Sequence, residues 1–141
     1  MIFSCPHCNK GNRVPIEKIS QNPTCGACSK ELLSLPISPS EEAFHELIKQ
    51  SSLPVIVDFW APWCGPCKMF APTFQASAIA YANKVIHLKV DTELNPSLGS
   101  QFNIRSIPTL ACFKNGKEVE RISGALPQQQ LKQLIDRLIL K

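Results

Sequence analysis

The chain has no apolar run approaching the roughly 20 residues that a membrane-spanning helix needs. Its start, Met1-Ile2-Phe3-Ser4-Cys5, lacks the basic stretch and apolar core of a secretory leader. Neither an integral membrane protein nor a leader-bearing secreted one is expected. Blocks of like charge are missing too: the net charge of +4 is spread singly, with acids among the bases as in Lys117-Glu118-Val119-Glu120-Arg121. That pattern describes a solvated face and not a nucleic-acid track. From the pattern of residues, no internal repeat and no low-complexity tract is expected. Charged residues make up only 18% of the 141, but hydrophobic residues reach 44%, enough for a soluble globular chain with a real core.

What the sequence holds in excess is cysteine. Six of the seven form Cys-x-x-Cys pairs, Cys5/Cys8, Cys25/Cys28 and Cys64/Cys67. Cys112 is left over inside Leu110-Ala111-Cys112-Phe113, where it reads as a small buried hydrophobe. Without a leader, the reducing cytoplasm is the expected compartment, and pairs of this kind there bind metal or carry redox chemistry.

Residues 1–36 show little periodic apolar pattern and cannot build a core alone. Cys5-Pro6-His7-Cys8 and Cys25-Gly26-Ala27-Cys28 stand 16 residues apart, the spacing of a four-cysteine zinc site. Metal-binding free energy would become the folding free energy that so short a segment lacks. We expect one structural Zn2+ on Cys5, Cys8, Cys25 and Cys28, tight turns helped by Pro6 and Gly26, and His7 exposed between its neighbours. Two redox disulfides are the alternative. The domain boundary is expected near Pro36, giving a ribbon over 1–36 and a second domain over 37–141.

In that second domain Ser38 is expected to cap a helix whose buried face is Ala43, Phe44, Leu47 and Ile48, with Glu41 closing a capping box. Pro54 to Trp60 is a short apolar run typical of a strand covered on both faces, with one acid, Asp58, inside it. Helical spacing follows from Cys64 to about Tyr81, then a strand over Val85–Asp91, which a right-handed crossover sets parallel to the first. Asn115-Gly116 between two apolar runs signals a hairpin. Leu131, Leu134, Ile135, Leu138 and Ile139 predict a terminal amphipathic helix. The fold class is α/β, a central mixed sheet flanked by helices.

The pair Cys64/Cys67 falls where a strand ends and a helix begins. There the helix dipole and free backbone N–H groups stabilise a thiolate, the nucleophile of disulfide exchange. Cys67, one turn inward, should be the more buried thiol.

The run Val57-Asp58-Phe59-Trp60-Ala61-Pro62-Trp63-Cys64-Gly65-Pro66-Cys67-Lys68 closely resembles the active-site stretch of the thioredoxins. Ile104-Arg105-Ser106-Ile107-Pro108-Thr109, Phe113-Lys114-Asn115-Gly116 and Gly124-Ala125-Leu126 continue the resemblance in order. With the cysteine-rich ribbon ahead of it, the whole chain is similar to the thioredoxin 2 class. The resemblance implies a thioredoxin fold and a protein-disulfide reductase in which Cys64 attacks the substrate disulfide and Cys67 resolves the mixed disulfide. It implies that Asp58 exchanges a proton with Cys67 and that Ile107-Pro108 is a cis peptide beside the thiols. Trp63, Gly65, Pro66, Ile107, Pro108, Gly124 and Ala125 would form a shallow docking surface, supported from below by Trp60. It also implies re-reduction by thioredoxin reductase, with disulfide-bearing proteins as substrates. No flavin, nicotinamide or nucleic acid is expected on this chain, and a monomer is the default. One departure is expected: His87 stands where many thioredoxins place a buried lysine near the acid, with Lys89 on the opposite face.

Two other functions compete. An oxidase or isomerase on the same fold would be favoured by a histidine between the cysteines, but Gly65-Pro66 offers neither charge nor donor. A binding module using the ribbon to hold a partner would leave the complete redox motif without a purpose.

Overall fold

The computed structural model describes residues 1–141. Strands β1 (Ile2–Ser4) and β2 (Gly11–Arg13) form a small antiparallel sheet, followed by a single 3-10 turn, Ile16–Lys18. Helix α1 (Glu41–Gln50), β3 (Val55–Trp60), α2 (Gly65–Ala80), β4 (Ile86–Asp91), α3 (Pro96–Gln101), β5 (Thr109–Lys114), β6 (Lys117–Ser123) and α4 (Gln128–Leu140) complete the chain.

The main sheet has the order β4-β3-β5-β6, with β3 and β4 parallel and the remaining pairs antiparallel. Period-2 alternation sorts each strand between two layers. Val55, Val57, Phe59, Ile86, Leu88 and Val90 face α1 and α3, whereas Ile56, Leu110 and Cys112 face α2 and α4. Cys112 is thus a buried apolar residue, as expected. The hairpin turns at Asn115 (φ 55°) and Gly116 (φ 79°), the left-handed pair that a two-residue loop needs to match strand twist.

Three expectations change. The cap of α1 is Ser40 and not Ser38: Ser40 Oγ accepts from the Ala43 N–H at 3.1 Å. Ala43 occupies the position where a capping box needs an acid, so Glu41 closes none. Helix α3 was not foreseen, because it buries a single residue, Leu98. A repeat also exists. Cys5–Lys10 and Cys25–Lys30 fold alike, each first cysteine donating to the lysine carbonyl at 2.8 Å and accepting at its own carbonyl from Asn9 N–H (2.8 Å) or Ser29 N–H (2.9 Å). The left-handed residues of these turns are Asn9 (φ 69°) and Ser29 (φ 66°), a duty that does not fall to Pro6 or Gly26.

Residues 1–36 solve their lack of core by sharing one. Phe3, Val14, Ile19, Leu32 and Leu33 join Phe44, Leu47 and Ile48 of α1 in a single buried cluster. Ile37 then lies along β4, its N–H donating to the His87 carbonyl at 2.9 Å and its carbonyl accepting from the Lys89 N–H at 2.8 Å. Glu31 adds a polar tie, accepting from Asn83 Nδ2 at 3.1 Å just beyond α2.

Candidate active site and metal centre

Cys64 is the N-cap of α2, and its Sγ accepts from the Cys67 N–H at 3.2 Å. Pro66 sits in the first turn, where its missing N–H would have had no intrahelical partner. Cys64 and Cys67 are joined as a disulfide. In this closed pair the two cysteines are equally hidden, 4% and 3% exposed, because both are drawn into one small cluster with Ala61, Trp60 and Ile107. The expected difference in burial is absent.

The Ile107-Pro108 peptide is cis, as expected. It brings the Ile107 carbonyl within 3.8 Å of Cys64 Sγ, while the Pro108 carbonyl accepts from the Gly124 N–H at 2.8 Å. Three segments therefore meet at one end of the sheet. Trp63 is 66% exposed beside the disulfide. Gly65, Pro66 and Ala125 are exposed, Ile107 and Gly124 half-buried, and Pro108 buried beneath them. This surface is shallow: the largest cavity, about 680 Å3, lies between α2 and α4 and touches no cysteine.

Asp58 is buried on the α2 face of β3, and its Oδ1 has no hydrogen-bond partner. Burial pushes its carboxyl up to about 7, against the opposing pull of Lys89. The strand register pairs Asp58 with Lys89, whose Nζ lies 4.4 Å from the centre of the Trp60 ring. Trp60, two residues on and so on the same face of β3, is half-buried with its indole N–H unpartnered.

The reading of His87 is overturned. Residues two apart on a strand share a face, so Lys89 does not turn away from His87 and is itself the cation beside Asp58. His87 lies one pleat earlier, packed against Phe74 with the ring planes inclined at 60°, with Nε2 2.9 Å from Ser77 Oγ and Nδ1 3.3 Å from the Val85 carbonyl. A carbonyl only accepts, so Nδ1 carries the proton and Nε2 accepts from Ser77. Burial pulls this imidazole down to about 4, outweighing the Val85 hydrogen bond, and keeps it neutral.

At the other end, Cys5, Cys8, Cys25 and Cys28 bring their Sγ atoms within 4.8 Å of one another. The Cys5–Cys28 and Cys8–Cys25 separations are 3.8 and 3.6 Å. Tetrahedral zinc with Zn–S of about 2.3 Å gives sulfur–sulfur edges of about 3.8 Å, so the donor set fits that ion. His7 is half-buried, not exposed, and stands outside the four-sulfur cluster. Its Nε2 faces the Glu31 carbonyl at 3.1 Å and Ser34 Oγ at 2.8 Å. Asn12, which sequence reasoning missed, donates from Nδ2 to Cys25 Sγ at 3.4 Å and accepts the Gly26 N–H on Oδ1 at 3.0 Å.

Comparison with known proteins agrees with both centres. The family model described as Thioredoxin matches residues 36–137, and that described as Thioredoxin 2, N-terminal, matches residues 4–30. Thioredoxin C-3 of Corynebacterium nephridii is 49% identical over 97% of this chain and 94% of its own length. Thioredoxin 1 of Synechococcus elongatus is 45% identical over 74% of this chain and 98% of its own. Among solved structures, a Malassezia sympodialis thioredoxin superposes with a TM-score of 0.65 at 33% identity, covering 71% of this chain and 86% of its own. The chemistry is thiol–disulfide exchange, run as protein-disulfide reduction. With one relative matched along nearly its full length, others over about three quarters of it, and a disulfide at the N-terminus of its central helix, this chain belongs to the thioredoxin family.

Proposed function

We propose that Cys64 is the attacking thiol and Cys67 the resolving thiol of this reductase. In the reduced protein the Cys64 thiolate attacks one sulfur of a substrate disulfide, forming a mixed disulfide and releasing the other sulfur as a thiolate. Cys67 then gives its proton to Asp58 and attacks Cys64 Sγ. The Cys64–Cys67 disulfide closes, and the second substrate sulfur leaves. Two electrons pass to the substrate, and two protons complete its dithiol. An acid held near pH 7 by burial suits that transfer at neutral pH. Lys89 limits how far burial raises it. Trp63, Gly65, Pro66, Ile107, Pro108, Gly124 and Ala125 serve substrate docking, and Trp60 supports them.

The division of labour runs between a ribbon over residues 1–36 and a catalytic domain over 37–141. Zinc on Cys5, Cys8, Cys25 and Cys28 would supply cross-linking and no step of the reaction. The electron donor is thioredoxin reductase, the compartment the cytoplasm and the working unit a monomer. No helix is long and apolar enough to cross a membrane.

The observation that carries this reading is the Cys64–Cys67 disulfide at the N-terminus of α2, beside the Ile107 carbonyl. Cys67→Ser tests it: the variant should accumulate a mixed disulfide between Cys64 and a protein substrate, found by mass spectrometry. A trapped adduct on any other cysteine would contradict the assignment.

A further inference from the structure

The docking surface described above uses the catalytic ends of three strands: the turn after β3 with Trp63 and Cys64, the cis peptide before β5, and Gly124-Ala125 after β6. The fourth strand, β4, runs parallel to β3 and ends on the same side. Its following loop carries Leu94, which is 80% exposed.

That loop is tightly fixed. Thr92 gives both its N–H (2.9 Å) and its hydroxyl (3.0 Å) to the carbonyl of Trp60, four residues before the attacking cysteine. Asp91 Oδ1 accepts from the N–H groups of Glu93 (2.9 Å) and Leu94 (3.4 Å), and the Asp91 carbonyl accepts from the N–H (2.9 Å) and Nδ2 (3.2 Å) of Asn95. A large apolar side chain is thus held in water on a backbone with little freedom to withdraw it, at the catalytic end of the sheet. Of the other exposed apolar residues, Met69 stands on α2 two residues past Cys67 and on no strand end, and the rest lie away from the site: Ile2 on β1, Ile79 at the far end of α2, and Leu140 at the end of α4, whose last carbonyls accept from Lys114 at the opposite end of β5.

We infer that Leu94 is a specificity-determining contact that extends the docking surface across β4 and takes an apolar side chain of the substrate polypeptide near its reactive cysteine. The inference rests on the reductase reading and deepens it. From the cis peptide before β5 to the β4 end is two strand spacings, about 10 Å, which an extended chain covers in roughly three residues. A substrate strand paired with Ile107 and crossing Cys64 therefore reaches the end of β4, where the fixed loop that carries Leu94 begins. Continuity with the docking surface selects this occupant over a second copy of the chain.

The test measures insulin reduction by the full-length protein against insulin concentration, with dithiothreitol as electron source, alongside reduction of hydroxyethyl disulfide, which is too small to reach β4. Losing the shallow, partial burial of one leucine on an open surface should raise KM for insulin about threefold in Leu94→Ala and about tenfold in Leu94→Asp, with Leu94→Met near native. Rates with hydroxyethyl disulfide should not change, and Leu140→Asp should leave KM for insulin alone. A native KM in Leu94→Asp, an equal loss on the small disulfide, or an equal rise in Leu140→Asp overturns the inference. Failure of the unsubstituted protein on both substrates would instead overturn the reductase reading.

Discussion

Cys-x-x-Cys occurs at both ends of this molecule's chemistry, and the two regions use it in opposite ways. In the ribbon each pair sits on a turn closed by a left-handed residue, Asn9 or Ser29, which folds the chain back so that two pairs face each other 3.6 and 3.8 Å apart. In the catalytic half the chain runs on from Cys64 into a 16-residue helix. That pair meets no second pair, only its own partner, a helix N-terminus and the Ile107 carbonyl. The spacing is common to both, and the backbone after it decides between a four-sulfur cluster that fits a metal and a closed redox pair.

The sharpest way to break this comparison is to remove one thiol from each region. Cys64→Ser should lower insulin reduction by roughly a thousandfold or more, with the zinc content measured by atomic absorption unchanged. Cys8→Ser should do the reverse. Zinc is lost and the thermal midpoint falls, because Phe3, Val14 and Ile19 share the α1 core, while turnover at Cys64 persists.

A second contrast concerns buried ionisable groups, which the catalytic half carries in Asp58 and His87. Asp58 holds its proton to about pH 7 when folded, against an ordinary 3.8. The folded state therefore binds the proton more tightly than the unfolded one, and stability falls as pH rises from about 4 through 7. Asp58→Asn should be more stable than the native protein by roughly 4 kcal/mol at pH 8 and no more stable below pH 4, in paired denaturant titrations. The same variant should slow release of product from the mixed disulfide by roughly a hundredfold. His87 has the opposite sign. It is neutral down to about pH 4 when folded, against 6.5, so its contribution is present above 6.5 and lost as pH falls toward 4. His87→Gln should flatten that acid limb by roughly 3 kcal/mol without changing turnover.

Ser40, at the seam between the two regions, provides the smallest effect. Ser40→Ala should cost about 1 kcal/mol of stability and Ser38→Ala close to nothing.

Much of this architecture is legible in the residues. The β3-α2-β4 unit announces itself because a buried parallel strand reads as a solid apolar run, and Asn115-Gly116 marks its hairpin because few dipeptides adopt two left-handed conformations. The grouping of Cys5, Cys8, Cys25 and Cys28 is readable from spacing alone. What escapes has physical reasons. β1, β2 and α3 are too short to show a period. The choice between Ser38 and Ser40 depends on which hydroxyl reaches an N–H three residues on. The place of Lys89 beside Asp58 was open to period-2 reasoning, but its pairing is fixed by strand register, which no local pattern encodes. Asn12 is invisible in sequence because its sulfur partner lies on the other knuckle.

The most direct test is a redox titration of the zinc-loaded protein in dithiothreitol buffers, counting free thiols by alkylation and mass spectrometry while following released zinc. The account predicts a single two-electron couple, Cys64/Cys67, more reducing than the cytosolic glutathione pool at about −220 to −260 mV, with Cys5, Cys8, Cys25 and Cys28 holding their metal throughout. A midpoint well above that range, or zinc released together with oxidation of Cys64, would contradict it.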